Sequence, residues 1–250
     1  MTELGLYYLK YHDRLPMPEV NVLANGGLGS YDINYFDKID LIGASFATMF
    51  GPASVGGEIS YKDGTPALVS AQVMGADGQY STIASATRAK VLQTNLNTIY
   101  NFGRTPLAQD TMFTAEVSYV NVLSAEKRRI AGAEGLPESI APRTNKLNDA
   151  NHGLAISTVL SLSYPGIANG WDLSVPIAYA QQISGSTITG GVGGEGDIRG
   201  SVTAELTHRS GLKLALAYVG YFGSAEVDNP RKTRKMTDKD HISFVAKKSF

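Results

Sequence analysis

The sequence contains no cysteine. That excludes a disulfide framework, a thiolate metal site and a cysteine nucleophile. It names no compartment, but it removes oxidation as a constraint in an oxidising one. Charge is scarce: Asp, Glu, Lys and Arg make up 18% of the 250 residues, below the roughly 25% of an ordinary soluble domain. The 22 Lys and Arg against 23 Asp and Glu leave a formal net charge of −1. An electrostatic nucleic-acid binder would be distinctly basic, so that class is excluded. No apolar run approaches the about 20 residues of a membrane helix, because Ser, Thr, Gly or Gln interrupts every candidate. A secretory signal is also missing. Met1 leads at once into a strand-like stretch from Leu4 to His12, and Glu3 stands where a basic region belongs. On that reading the chain is cytoplasmic, or a mature or partial chain whose export signal lies elsewhere. What is plentiful is Gly, at 27, and Tyr, at 13, against a single Trp. With so little charge, that composition points to β structure.

Most of the chain alternates. Leu154, Ile156, Thr158, Leu160, Leu162 and Tyr164 interleave with Ala155, Ser157, Val159, Ser161 and Ser163. Strict alternation makes a strand with one oily face and one small or polar face. The same rule holds from Trp171 through Leu173, Val175 and Ile177 to Tyr179. It recurs in Ile198 to Leu206, in Leu212 to Tyr218, in Ile42 to Phe50, in Val55 to Tyr61 and in Phe113 to Tyr119. About ten such segments are predicted, near 3–12, 39–50, 54–62, 88–102, 111–123, 152–164, 171–183, 197–209, 212–222 and 241–250. Their length, roughly 9–13 residues, matches a tilted strand crossing a bilayer. Soluble strands usually run about five or six. Residues 85–100 are ambiguous, because spacing by four (Leu92, Leu96, Tyr100) fits both a helix face and a strand face. The flanking pattern favours a strand.

Connections alternate in length. Residues 51–53, 103–110, 165–170 and 210–211 are short, and 13–38, 63–87, 124–151, 184–196 and 223–240 are long. Outer-membrane barrels show this asymmetry, with tight periplasmic turns and long external loops. Aromatic residues fall in two groups that share the phase of the aliphatics. Phe50, Phe102, Phe113, Tyr164, Trp171 and Phe250 stand beside the short turns. Tyr61, Tyr119, Tyr179, Tyr218, Phe222 and Phe244 stand toward the long-loop ends. Two aromatic belts on an oily face are what a lipid-facing surface requires. The expected fold class is all-β, a transmembrane antiparallel β-barrel of about ten strands or part of a larger one.

The segment Gly5-Leu6-Tyr7-Tyr8-Leu9-Lys10-Tyr11-His12-Asp13-Arg14-Leu15-Pro16 resembles a characteristic stretch of a Pseudomonas-type outer-membrane family known only as a domain of unknown function. Asp40-Leu41-Ile42-Gly43-Ala44-Ser45-Phe46 and Gly57-Glu58-Ile59-Ser60-Tyr61 match its next blocks in order. Asp238 to Phe244, running on to Ser249-Phe250, is similar to its C-terminus. The likeness spans the chain, which looks like the C-terminal half of members about twice its length. It implies a channel or uptake protein for small hydrophobic or aromatic solutes. It also implies outer-membrane lipid and the barrel assembly machinery as partners. The strand ending on Phe250 resembles the signal that machinery reads. Lys248 departs from it, because it falls in the outward phase where an apolar residue is usual; beside the interface it can snorkel.

No cofactor or metal motif is present: His12, His152, His208 and His241 are scattered. There is no Gly-x-Ser-x-Gly elbow, and Gly185 to Gly196 lacks the Lys-Ser/Thr ending of a phosphate loop. His12-Asp13, His152 with Asp149, and His241 with Asp240 lie near the long-loop ends, but adjacent residues point to opposite faces of a strand. Glu58, Glu116, Arg199, Glu205 and Lys213 fall on the polar faces, where they would line a lumen, binding a solute or pairing with one another. Arg231, Lys232, Arg234, Lys235 and Lys239 make the last long connection basic. It would meet lipopolysaccharide phosphates as a partner, or stand as a merely solvated charge run. The expected function is passive passage of small solutes past loops 63–87 or 124–151 folded inward. A structural or adhesive barrel and a rim-active hydrolase stay open as alternatives.

Overall fold

The structure is a computed structural model that describes residues 2–23, 27–186, 194–222 and 237–249. Twelve strands follow one another: β1 (Thr2–Tyr11), β2 (Met17–Val22), β3 (Leu28–Asn34), β4 (Ile39–Phe50), β5 (Ala53–Met74), β6 (Tyr80–Gly103), β7 (Asp110–Ala125), β8 (His152–Ala168), β9 (Trp171–Gly185), β10 (Ile198–His208), β11 (Leu212–Phe222) and β12 (His241–Lys248). Among the described residues there is no helix. Ten strands form one antiparallel sheet in the order β1-β4-β5-β6-β7-β8-β9-β10-β11-β12, and β2 pairs with β3 alone. This is an up-and-down meander interrupted once, where the β2–β3 hairpin occupies the connection between β1 and β4. Among the described residues β1 pairs only with β4 and β12 only with β11, so the sheet has two edges.

The ambiguous stretch at 85–100 is strand. Leu92, Leu96 and Tyr100 pair with Tyr61, Gly57 and Ala53 on one face; Val91, Asn95 and Ile99 pair with Lys62, Glu58 and Ser54 on the other. A helix there would strip β5 and β7 of the partner that lies between them.

Register carries the alternation across the whole sheet. One row runs Leu4, Phe46, Gly57, Leu96, Val117, Ile156, and another runs Phe113, Leu160, Ile177, Val202, Tyr218, Ile242. Paired residues share a face, so these rows make one aliphatic surface. It has no covering layer: Leu6 is 87% exposed, Ile242 72% and Leu216 53%. Where Phe46 crosses the row, its ring lies over Gly57, and a Cβ there would come within 2.5 Å of the ring.

The hydrophobic core sits elsewhere, at the long-connection end. Three clusters form it. The first is Val22, Ala71, Val73, Ile130, Ala133 and Ala141. The second is Ala67, Ala89, Val91, Val120 and Val122 with Leu147. The third is Phe36, Ile39 and Ala86. Together they build a cap from the β2–β3 hairpin, the far halves of β5 and β6, and segment 126–150.

The predicted long loop 63–87 is corrected here. β5 and β6 continue through it, 22 and 24 residues long, and only 75–79 turns. Two causes hid the strands. A bulge between Asp63 and Thr65, with Gly64 at φ +88°, flips the parity. Glu58, Ser60 and Lys62 share a face below it, whereas above it Ala67, Val69, Ala71 and Val73 form the buried set. The far halves are also buried on both faces, as Ser85, Ala86 and Thr87 on β6 show, and strands covered on both sides lose their oily/polar contrast. Segment 126–150 then crosses this ribbon to its free edge. Ser70 N donates to Lys146 O at 2.8 Å, Asn148 N to Leu68 O at 2.9 Å, and Met74 N to Ile140 O at 2.7 Å.

Ile130 is fully buried at the centre of the first cluster. Ile130→Ala is expected to destabilise the cap by about 2–5 kcal/mol. Hydrogen exchange checks this: the amides of Val22 and Met74 should lose protection while those of β9 and β10 keep theirs.

Candidate functional site

The face opposite the aliphatic rows is where charge collects. Ser45, Glu58, Asn95 and Ser118 lie side by side on β4 to β7, with Ser118 Oγ donating to Asn95 Oδ1 at 2.6 Å. The next row runs Gly56, Asn97, Glu116, Ser157, Ala180, Arg199, Tyr221. Only Ser157 and Ala180 separate Glu116 from Arg199, so nothing bulky stands between the opposite charges. The Arg199 guanidinium lies 5.6 Å from the Tyr221 ring centre. Glu205 and Lys213 share this face and join at 2.6 Å. All five sequence-predicted charges are therefore on one side of the sheet. Two of them neutralise each other across neighbouring strands.

Toward the cap the same face closes over a cavity of about 240 Å³. Its floor is the row Lys62, Val91, Val122. Leu15, Met17, Leu68 and Leu147 supply the walls, and Asp13 and Asp149 stand on the connecting segments. Lys62 Nζ donates to Gln93 Oε1 at 2.9 Å. One row further in, the Tyr7 ring lies flat over Gly43, where any Cβ would fall within 2.4 Å of it.

Polar ties hold the cap over this cavity. Glu19 of β2 is 3% exposed. It pairs with Arg128, accepts from Asn34 Nδ2, and takes a hydrogen bond from Ser85 Oγ at 3.4 Å. A carboxylate this buried requires such a set of partners. Arg88 of β6 donates to Asp37 O at 2.8 Å, Asp37 Oδ1 at 2.6 Å and Gly64 O at 3.3 Å. It thereby ties the bulge to the segment before β4. Its guanidinium beside Asp37 holds that carboxyl below the usual range. The Glu138 carboxyl is likewise held low, first by the Arg143 backbone N–H and then by Arg129.

The aromatic groups hold their predicted phase, with one shift of level. Tyr8 and Tyr61 flank Ile42. Immediately beyond them, on the same face, runs a charged row in which Lys10 meets Asp40 at 3.5 Å and Lys90 meets Asp63 at 3.2 Å. Tyr hydroxyls reach toward that end: Tyr8 donates to Asp40, Tyr218 to Asp240 at 2.8 Å, and Tyr179 to Gln181 at 2.6 Å. At the short-turn end Tyr164 donates to Leu107 O at 2.7 Å, and Trp171 lies 4.7 Å from His208. Phe244 pairs with Leu216, which puts it among the aliphatics and not at the long-connection end. Phe250 and the basic stretch from Arg231 to Lys235 lie outside the described residues, as does most of the glycine-rich segment. Lys248, on the aliphatic face opposite Leu212, bends its Nζ to Ser210 O at 2.6 Å. It caps the β10–β11 turn instead of pointing outward.

A family model described as a protein of unknown function, DUF1302, matches residues 1–250. The chain belongs to the DUF1302 family. No curated protein and no solved structure matches it.

None of the three His–Asp neighbours in this DUF1302 chain is joined by a hydrogen bond. His152 Nδ1 meets Asn151 Oδ1 at 3.1 Å, His241 Nδ1 meets Lys239 O at 3.1 Å, and Asp240 is held by Tyr218 and Tyr221 N. Sequence reasoning missed Lys62, Gln93, Glu19 and Arg128. Phase alone places Lys62 with Glu58, two pairs along one strand. Glu19 and Arg128 had no such signal, because they meet across 109 positions of connecting sequence.

Glu19→Ala is expected to cost about 3–5 kcal/mol, since it leaves Arg128 unpaired in the cap. Glu19→Ala with Arg128→Ala should cost less than the two single losses summed; chemical denaturation of all three variants measures it. The depressed Asp37 and Glu138 carboxyls stabilise the cap fully above the ordinary carboxylate value, about pH 4. That contribution disappears as pH falls through their lower folded values. Protection factors of cap amides, corrected for the intrinsic pH dependence of exchange, should therefore fall below about pH 4, and Asp37→Asn should remove part of that dependence.

Proposed function

We propose that the chain forms an outer-membrane β-barrel, or a large part of one, through which small solutes pass along the polar face. The observation that carries this is the aliphatic surface itself. It is continuous over ten strands, uncovered below the cap, and bounded by aromatic residues, with a charged row beyond them at the long-connection end. From Ile42 to Phe50 it measures about 27 Å along the strand, or on the order of 20 Å at a tilt of about 40°. That approximates the apolar band of such barrels, about 25 Å tall. In water a surface of this extent would drive aggregation; against lipid it is the favourable arrangement. Tyr hydroxyls turned to the charged row fit the interfacial position of such rings.

On this reading Glu58, Glu116, Arg199, Glu205 and Lys213 line a lumen, and the cap narrows it at the external end. Segment 126–150 lying over the polar face supports the cap as the constriction. Backbone groups left open in hydrocarbon are costly, so the reading also requires strand partners for the edges β1 and β12.

Liposomes carrying the full chain should swell in permeant small solutes, and swelling should quicken when Ile130→Ala loosens the cap. Osmotically silent vesicles with properly inserted protein would refute passage and leave a structural barrel. Insertion has its own test. Leu216→Arg should weaken folding into bilayers by about 2–4 kcal/mol, whereas Ala217→Arg, one residue along on the polar face, should cost much less.

A further inference from the structure

The cavity beneath the cap has the chemistry of a binding site. Its floor carries one ammonium among aliphatic side chains. Lys62 Nζ has Gln93 Oε1 as its side-chain acceptor, a neutral group, and among the described residues no carboxylate lies within 4.0 Å of it. An ammonium offers three donors, so two remain for a ligand. Glu58 and Asp13 act on this ammonium through space without touching it, and burial leaves it poorly solvated, so it gains from an anion that meets it directly. Gln93, fixed in the adjacent strand, holds the head in place beforehand, which lowers the ordering cost of binding.

We infer that this cavity binds a small aromatic or aliphatic monocarboxylate, its carboxylate on Lys62 and its apolar body against Val91, Val122, Leu68 and Leu147. This rests on the reading of the polar face as the solute path, and it names the class of solute held there. Size agrees with that class: a cavity of about 150 Å³ takes benzene, and this one is about 240 Å³. The count of charges in the ligand follows from the lining. Asp13 and Asp149 stand on the connecting segments beside the same cavity, and one Asp13 oxygen already accepts from Leu15 N at 2.9 Å. The lining thus sets one ammonium against two carboxylates, so a ligand carboxylate is held by direct contact with Lys62 alone, and a second negative charge, which meets only repulsion, disfavours a dicarboxylate.

The test titrates the full chain in dodecyl-maltoside micelles with benzoate, benzyl alcohol and benzylamine, with empty micelles as baseline and calorimetry as readout. Benzoate should bind at least tenfold more tightly than the other two. Lys62→Met should bring benzoate to the level of the alcohol, while Lys62→Arg keeps the preference. Equal binding of all three by the unmodified chain overturns the proposal, and so does a preference for benzylamine, which would assign recognition to Asp13 and Asp149. Liposome swelling separates this from solute passage. Benzoate preference with silent vesicles retains the site and refutes the channel; swelling without benzoate preference does the reverse.

Discussion

A single layer of β-sheet has two faces and cannot cover both with its own side chains. Everything else in this molecule depends on how it meets that constraint. Below the cap the aliphatic face is left bare across the ten strands, and the polar face takes Glu58, Glu116, Arg199, Glu205, Lys213 and the small residues. Buried clusters do occur, but they occupy only the cap, where connecting segments fold onto β5 and β6. A water-soluble sandwich would have placed them between two sheets. Here the apolar residues of the sheet gather on one uncovered face, and Glu58, Glu116, Arg199, Glu205 and Lys213 on the other.

The cap works by a different balance. Its apolar clusters are small, built largely of Ala and Val, so polar ties fix the geometry. Glu19 with Arg128 joins the β2–β3 hairpin to segment 126–150, and Arg88 joins β6 to the bulge and to Asp37. The arrangement they define is the roof of the cavity that holds Lys62. Positioning of a charged floor and a fixed roof is thus divided between strand register and side-chain ion pairs.

The ten-stranded sheet was legible in the sequence because period two is preserved wherever one face differs chemically from the other. Strands such as β8 and β11 read directly from Leu154 to Tyr164 and from Leu212 to Tyr218. Legibility failed where that contrast vanished. Ala67, Val69, Ala71 and Val73 alternate as plainly as any strand, yet their partners Ser85 and Thr87 are buried too, and the phase is opposite to that of Glu58 and Lys62. The five charged residues of the polar face were placed by parity alone. The cavity was not, because it needs Leu15, Met17 and Leu147 from two connections, and nothing local in those segments says where they return. Phe244 shows a smaller limit: parity gave its face, but its height depends on the register with β11, which the sequence does not print.

The bulge at Gly64 has a consequence beyond its local geometry. Below it, even-numbered residues of β5 look one way; above it, odd-numbered ones do. The backbone thus resets its reading frame at one residue that L side chains occupy with strain. Gly64 is the extra residue, since Asp63 pairs with Lys90 and Thr65 with Ala89; removing it would keep Val69 and Val73 on the face they hold now and take away only the kink and the carbonyl that Arg88 grips. A lone glycine therefore sets the bend of the distal hairpin, while pairing with β6 sets which way its side chains look.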